Sequence, residues 1–370
     1  MFDLNTILRP HIITLTPYSS ARDEYTGKEG IFLDANENAF GSTLDGSTLA
    51  GSTLDGSASE EHYNRYPDPH QLAIKAKLAP IKGVRPTQIF IGNGSDEPID
   101  LLVRATCTPG SDSILILPPT YGMYEVSAAI NDVQLIKVPL TPDFQIDVPA
   151  VLAAILPHTK LLFVCSPNNP TGNLIDREAI ITLLTHFNGL VVVDEAYIDF
   201  ADTESFTALL DQYPNLVVLQ TFSKAWGLAA LRSGMCFASE ALIEVLNKIK
   251  PPYNVSGPTQ QLLLKALNQL PTKDAMVAQI LAQREELIAK LLNLPLVRHV
   301  YPSDANFILV KFDDPKAVFD YLIDQQIIVR DRHRVKLCEG CLRITVGTPS
   351  ENEQVLAMLK TYANRLTTTV

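Results

Sequence analysis

Lys224 stands in the stretch Thr221-Phe-Ser-Lys-Ala-Trp-Gly-Leu-Ala-Ala-Leu-Arg-Ser-Gly234, directly after the apolar run Leu216-Val-Val-Leu219. Such a run reads as a buried strand, so the lysine sits at a strand end with Trp226, Leu228 and Leu231 downstream. Burial disfavours an ammonium ion, lowers its pKa and leaves a neutral amine that attacks aldehydes. Thr221 and Ser223 supply hydroxyls just before the amine, and Arg232 supplies a guanidinium eight residues after it. Hydroxyls with a guanidinium suit a phosphate. A phosphorylated aldehyde held by a lysine describes pyridoxal phosphate. A lysine with a buried stem and a head in water would use the same residues, so this stretch alone leaves both readings open.

The residues after four other apolar runs extend the first reading. Leu190-Val-Val-Val193 ends in Asp194-Glu-Ala-Tyr197, and an aspartate at the end of a fully apolar strand is costly unless a cation meets it. A protonated pyridine nitrogen would meet it, and keeping that nitrogen protonated makes the ring an electron sink. Tyr197 is placed to reach the phenolic oxygen of the same ring. Thirty positions separate Asp194 from Lys224, room for one crossover and one strand, which puts both at one sheet edge. Leu161-Leu-Phe-Val164 leads into Cys165-Ser-Pro-Asn-Asn-Pro-Thr-Gly172, a rigid, amide-rich loop whose Asn169 suits a ring oxygen, although its dipeptides also make plain turns. Ser113-Ile-Leu-Ile-Leu117 leads into Pro118-Pro-Thr-Tyr-Gly-Met-Tyr124, where Tyr121 can lie on a flat heterocycle or simply pack. Gln88-Ile-Phe-Ile91 leads into Gly92-Asn-Gly-Ser-Asp-Glu97; glycines before a helix let the backbone approach an anion, here through Gly94 and Ser95. Glu97 occupies the place of the third glycine of a dinucleotide fingerprint, and no phosphate-loop lysine follows.

The elements that must position these residues are readable from the same runs. With Gln134–Val138 and Gly234–Phe237 they are near-continuously apolar, the pattern of strands buried on both faces. Helical stretches between them indicate crossovers, hence an α/β protein with a mainly parallel central sheet and flanking helices. Ligands in such sheets sit at the carboxyl ends of the strands. We expect an N-terminal arm over residues 1–30, a large cofactor-binding domain over 31–258 and a smaller α/β domain over 259–370. The large domain opens with a short strand at Ile31–Leu33. A pentapeptide repeat follows, Gly41-Ser-Thr-Leu-Asp45 onward, inside a low-complexity stretch over 41–60. One leucine per unit buries little, so a surface loop is expected, with a lid as the sharper alternative. In the small domain we expect helices at 272–292 and 317–325, strands at Asn306–Val310, Ile327–Arg330 and Leu342–Val346, and a last helix opened by a capping box of Ser350 and Glu353.

Composition excludes several classes. Among 370 residues 46% are hydrophobic and 19% charged, the balance of a globular enzyme. The net charge of -11, without a basic block, argues against nucleic acid as a partner. No apolar run reaches a membrane span and the first residues lack a signal-peptide pattern. Five scattered cysteines fit a reducing compartment, so a cytoplasmic location is expected. Cys338-Glu-Gly-Cys341 has half a zinc-knuckle spacing without a second pair; a turn feeding the next strand is expected, and no metal.

Taken together, Ser166–Gly172, Asp194–Tyr197, and Ser223-Lys224 with Arg232 resemble the fold-type I pyridoxal-phosphate aminotransferases. Asn36-Glu37, Asn64-Arg-Tyr-Pro67, Pro118–Tyr124 and Gly340-Cys-Leu-Arg-Ile-Thr-Val-Gly347 are similar to the histidinol-phosphate aminotransferases among them. The likeness runs from about Leu15 to the C-terminus, broken mainly by the repeat.

The resemblance implies that Lys224 bonds to pyridoxal 5'-phosphate and moves the proton, with Asp194 on the pyridine nitrogen. It implies Tyr197 and Asn169 on the ring oxygen and Tyr121 stacked on the ring. Gly94, Ser95, Ser223 and Arg232 would hold the phosphate, and Tyr66 would reach across a homodimer to the neighbouring site. Substrate choice would rest on Tyr18, Asn36, Tyr66, Asn169, Arg330 and Arg343. An arginine grips carboxylate or phosphate with two hydrogen bonds, so one site can serve both half-reactions; for Arg330 a salt bridge to Asp331 or a neighbour is the alternative. The activity implied is amino transfer between L-histidinol phosphate and 2-oxoglutarate, giving imidazole-acetol phosphate and L-glutamate. Its rivals are an aromatic aminotransferase, a threonine-phosphate decarboxylase, a nucleotide-binding regulator without chemistry, and a zinc protein.

Overall fold

The computed structural model describes residues 2–18, 35–38, 42 and 63–368. The strand expected at Ile31–Leu33 and the repeat stretch at 41–60, Ser42 excepted, lie outside the described residues. Seven strands form the larger sheet: β1 (Ile89–Gly92), β2 (Ser113–Ile116), β3 (Gln134–Lys137), β4 (Thr159–Cys165), β5 (Leu190–Asp194), β6 (Leu216–Thr221) and β7 (Gly234–Phe237). Their order is β1-β7-β6-β5-β4-β2-β3, parallel except that β7 runs antiparallel to both β6 and β1.

The apolar runs are explained by what the two faces bury. Val191 and Val193 of β5 join one core cluster with Leu162, Val164, Leu216 and Val218, while Leu190 and Val192 join the opposite one with Leu161, Phe163, Val217 and Leu219. Side chains alternate across a strand, so a strand with helices on both sides has no polar positions to spare. Only the edge strand β3 shows exposed ends, Gln134 and Lys137. Register sets Cys165 beside Asp194 and Asp194 beside Leu219, so the carboxyl ends of β4, β5 and β6 stand side by side. The antiparallel β7 places Gly234 opposite both Gly92 and Thr221, which brings the turn after β1 against the turn after β6.

The smaller sheet contains β8 (Val297–Val300), β9 (Phe307–Phe312), β10 (Arg330–Asp331) and β11 (Cys341–Thr345) in the antiparallel order β10-β11-β9-β8. Strand β8 was not expected: its Arg298 and His299 are exposed, so it carries no continuous apolar run. The strand expected at Ile327–Arg330 shrinks to two residues. Gln326 takes a left-handed turn and Ile328 is 76% exposed, so the segment before Arg330 runs over the surface with nothing to pair against. The last helix begins at Pro349, and its capping box is Thr348 with Glu351: Thr348 N–H donates to Glu351 Oε2 at 2.7 Å and Glu351 N–H to Thr348 Oγ1 at 3.4 Å. Proline suits a first helical position because that N–H has no helical partner, which moves the cap two residues upstream of Ser350. A helix over Leu270–Leu291 joins the two sheets: its Val277 packs with Tyr197, Phe200 and Ala225 of the larger unit and with Phe307 of β9.

Candidate active site

Where β4, β5 and β6 end, a cavity of about 160 Å³ opens. Gly94, Ser95, Tyr121, Asn169, Asp194, Tyr197, Ser223, Lys224 and Arg232 all line it, together with Asp96, Cys165, Ala196, Thr221 and Ala229. The amine and the acid separated by thirty positions therefore face one space.

Asp194 forms the floor. It is 2% exposed, and burial pushes its carboxyl up from 3.8 to about 6. The Tyr124 hydroxyl donates to its Oδ2 at 2.6 Å and the Ala196 N–H donates to its Oδ1 at 3.1 Å. These bonds and the nearby Lys224 amine oppose the rise, because each favours the ionised form. Tyr124 is itself fully buried and stacks on Phe163, with ring centroids 4.6 Å apart. Sequence reading singled out its neighbour Tyr121 and missed Tyr124. Tyr124 lies in the helix that runs from Met123 while Tyr121 precedes it, and only the tertiary approach of that helix to β5 brings Tyr124 to the acid. Tyr121 donates to Asp96 Oδ1 at 3.0 Å instead.

Lys224 follows β6 on a tight turn. Its ammonium form is disfavoured by burial first, then by Arg343 and Arg232, while Asp194 and Asp96 act the other way. Its Nζ lies 5.5 Å from the centroid of the Tyr197 ring, and burial raises the Tyr197 phenol above its ordinary value. Ser223 N–H donates to Thr221 Oγ1 at 3.1 Å, which closes the turn.

The anion-facing wall is backbone more than side chain. Gly94 has φ +69° and its N–H donates to the Arg232 carbonyl at 2.9 Å. A Cβ on Gly94 would stand 2.8 Å from Arg232 Nη2, and one on Gly234 would stand 2.5 Å from the Ser95 nitrogen, so two turns meet at van der Waals limits. The helix Asp96–Thr106 starts here with Ser95 at its N-cap, and that side chain makes no capping bond. Gly94, Ser95 and Asp96 line the cavity, so the partly positive N-terminal end of this helix borders it. Arg232 Nη2 sits 3.7 Å from Asp96 Oδ2.

The small unit adds Arg343. Its Nη1 donates to Asn169 Oδ1, its guanidinium lies 5.0 Å over the Phe307 ring, and its buried Nε has no partner among the described residues. Arg330 lies opposite Arg343 in register on β10 and is exposed. The alternative for Arg330, a salt bridge to Asp331 or a neighbour, is not formed among the described residues; the Asp331 carboxylate accepts from His333 Nδ1 at 2.6 Å. Of the six residues anticipated at the substrate only Asn169 lines the cavity; Arg330, Arg343, Tyr18, Asn36 and Tyr66 stand outside its lining. Tyr18 is 75% exposed beside a hollow formed with Pro69, His70 and Lys248. Asn36 adopts φ 55°, and Tyr66 stacks on Tyr253 at 4.4 Å. Glu37 fixes that region, accepting from Arg65 Nη1 and Tyr66 N–H, both at 2.7 Å. Cys338 and Cys341 are buried in the core beneath, with Cys341 N–H closing a turn onto the Cys338 carbonyl at 3.0 Å. Among the described residues no helix is long and apolar enough to cross a membrane.

The donor set fits pyridoxal phosphate on its own chemistry. A buried carboxylate held near neutrality calls for a cation such as a pyridinium nitrogen, an amine held towards its neutral form calls for an aldehyde, and an open helix N-terminus with two serine turns and Arg232 calls for a phosphate.

Comparison with known proteins agrees. Residues 28–359 match the family described as aminotransferase class I and II. The chain is 59% identical to the histidinol-phosphate aminotransferase of Cytophaga hutchinsonii over 98% of its length and 99% of the relative's. It is 50% identical to that of Flavobacterium johnsoniae over 97% and 98%. The crystal structure of histidinol-phosphate aminotransferase from Sinorhizobium meliloti in complex with pyridoxal-5'-phosphate shares the fold, with a TM-score of 0.76 at 24% identity over 82% of this chain and 84% of that one. Family match, fold and cavity lead to one conclusion: the chain belongs to the class I and II aminotransferases and works with pyridoxal 5'-phosphate.

Proposed function

We infer that this enzyme transfers an amino group between L-histidinol phosphate and 2-oxoglutarate, giving imidazole-acetol phosphate and L-glutamate in histidine biosynthesis. The specific substrate is supported by the near full-length relatives of that name at 59% and 50% identity. The observation that carries the chemistry is the shared cavity of Lys224 and Asp194, overlooked by Arg343 through Asn169. When bound, pyridoxal phosphate supplies an electron-withdrawing ring that weakens the bonds at the substrate's α-carbon.

The chain's own residues do the rest. Lys224 Nζ would hold the cofactor's aldehyde carbon and, as a free amine, would accept and return the substrate's α-proton. Asp194 keeps the ring nitrogen protonated, with Tyr124 and the Ala196 N–H holding the carboxylate ionised. Tyr197 and Asn169 would hold the ring oxygen, Tyr121 would cover the ring face, and Gly94, Ser95, Ser223 and Arg232 would hold the phosphate. Arg343 is placed to take the substrate's phosphate in one half-reaction and the α-carboxylate in the other, with Arg330, Tyr18 and Asn36 completing the set. We place Tyr66 in the neighbouring site of a homodimer; its exposure together with that of Tyr63 and Leu72 supports a partner surface there. We assign the enzyme to the cytoplasm on its cysteine usage, and keep the division into arm 1–30, large domain 31–258 and small domain 259–370, which the two separate sheets support.

The test is a half-reaction. Protein loaded with pyridoxal phosphate should be bleached by histidinol phosphate far faster than by phenylalanine or threonine phosphate, and release no carbon dioxide. Borohydride should fix the cofactor to Lys224. Carbon dioxide release from threonine phosphate would overturn the assignment in favour of a decarboxylase.

A further inference from the structure

Glu195 follows Asp194 directly and points away from the cavity, because successive side chains at a strand end turn to opposite sides. It is 1% exposed, so a carboxylate is held inside the protein where a leucine would fill space without a charge to satisfy. Its hydrogen bonds show what the acid is for. Oε2 accepts from the Ser205 hydroxyl at 2.5 Å and from Gln220 Nε2 at 2.9 Å, and Oε1 accepts from Phe206 N–H at 2.7 Å. Its own N–H donates to the Leu219 carbonyl at 2.8 Å. Ser205 in turn accepts from Gln220 Nε2 at 3.2 Å and from Thr207 N–H at 3.1 Å. Burial pushes the Glu195 carboxyl above the ordinary value, and the bonds from Ser205, Phe206 and Gln220, then the nearby Lys82, oppose that rise.

These contacts join three segments that share no main-chain continuity: the end of β5 that carries Asp194, the end of β6 that leads from Gln220 to Lys224, and the turn beginning at Ser205. The β5–β6 ladder stops at Asp194 and Leu219. Beyond that point Glu195 and its partners carry the alignment.

We propose that Glu195 is a positioning residue: its carboxylate ties the end of β5 to the end of β6 and so sets where the Asp194 carboxylate and the Lys224 amine stand relative to each other. A misplacement of about 1 Å in such a pair costs as much as about a hundredfold in rate, which gives the tie its reason. The inference rests on the roles assigned to Lys224 and Asp194 above.

The experiment uses the pyridoxal-phosphate-loaded protein with Glu195→Gln, and Ser205→Ala as a milder variant that removes one donor. Three quantities are measured: thermal stability, the kcat and KM for histidinol phosphate, and the pH titration of the absorbance of the lysine-bound cofactor. That absorbance reads the environment of Lys224 and Asp194 without turnover. The tie predicts that Glu195→Gln lowers kcat about tenfold or more with KM within about twofold, and moves the midpoint of the absorbance titration by about half a pH unit or more. Ser205→Ala moves both in the same direction by less. A Glu195→Gln protein that melts earlier but keeps the wild-type titration midpoint and kcat overturns the proposal and leaves Glu195 a purely stabilising group. If Glu195→Gln does not fold, an unmoved midpoint in Ser205→Ala overturns it equally. Absence of any lysine-bound absorbance in the wild-type protein would overturn the assignment of Lys224 itself, an outcome distinct from failure of the tie.

Discussion

At the floor of the cavity Asp194 is buried with both oxygens already hydrogen-bonded, whereas Tyr18 and Tyr66 are 75% and 50% exposed and Arg330 makes no ion pair among the described residues. The floor is completed by the folding of one chain: helix, sheet and loop converge on the acid before any ligand arrives. The outlying set has its side chains in solvent, and among the described residues Glu37 and Tyr253 hold Tyr66 from within. Pre-organised groups carry the chemistry, because their geometry costs nothing at the moment of reaction. The exposed groups are those we propose to select what enters, once a ligand or a second subunit meets them. The comparison predicts a gradient of effects from floor to periphery.

Lys224→Ala should show the largest effect, a loss of turnover of about 10⁴-fold or more with the fold intact. Single-turnover assays with a melting curve check it; a residual rate within tenfold of wild type would place the working amine elsewhere. Asp194→Asn should lower the rate by about 10²- to 10³-fold. It also carries a pH signature in the cofactor-free protein. The folded-state value of about 6 lies above the ordinary 3.8, so the stability contributed by this group is fully present below about pH 4 and lost as pH rises through about 6. Wild type should therefore lose melting temperature relative to Asp194→Asn between those two values, and parallel curves would contradict the burial argument.

Tyr124→Phe removes the 2.6 Å bond that lowers the Asp194 value. The carboxyl should rise further, the acid limb of the pH–rate profile should move up, and the rate should fall about tenfold, the scale of one charge-assisted hydrogen bond. An unchanged acid limb would detach Tyr124 from the floor. Tyr66→Phe should be mildest, a rise in KM of less than about tenfold. Mixed with Lys224→Ala protein, it should show a fraction of sites with the wild-type KM, because each hybrid dimer then holds one site with Lys224 from one chain and Tyr66 from the other. No such fraction in mixtures that exchange subunits would remove Tyr66 from the neighbouring site.

The same gradient explains what could be read from the sequence. Asp194, Lys224 and Asn169 were legible because a fully buried strand admits no polar residue by accident, so whatever ends it is conspicuous. The strand runs themselves were placed to within a residue or two for the same reason. Tyr124 was not legible: a tyrosine inside a helix packs in a core as readily as it hydrogen-bonds an acid seventy positions away, and only the tertiary approach of helix and β5 decides. Strand β8 escaped because Arg298 and His299 give it one wet face. The stretch before Arg330 read as a strand because Ile327, Ile328 and Val329 have β propensity, yet propensity without a neighbouring strand does not make a ladder. Glu195 was quoted within its motif and passed over, since nothing local reveals that Ser205 and Gln220 come to meet it.

Gly234 is where these lines cross. Its missing side chain is what lets the reversed strand press the turn before Arg232 against the peptide of Gly94 and Ser95. One added methyl group there would meet the Gly94–Ser95 backbone and force it from β7, whose Gly234 is laddered to Gly92 and Thr221. A residue larger than glycine at this position is therefore expected to loosen the grip on a phosphorylated aldehyde that we assign to the anion loop.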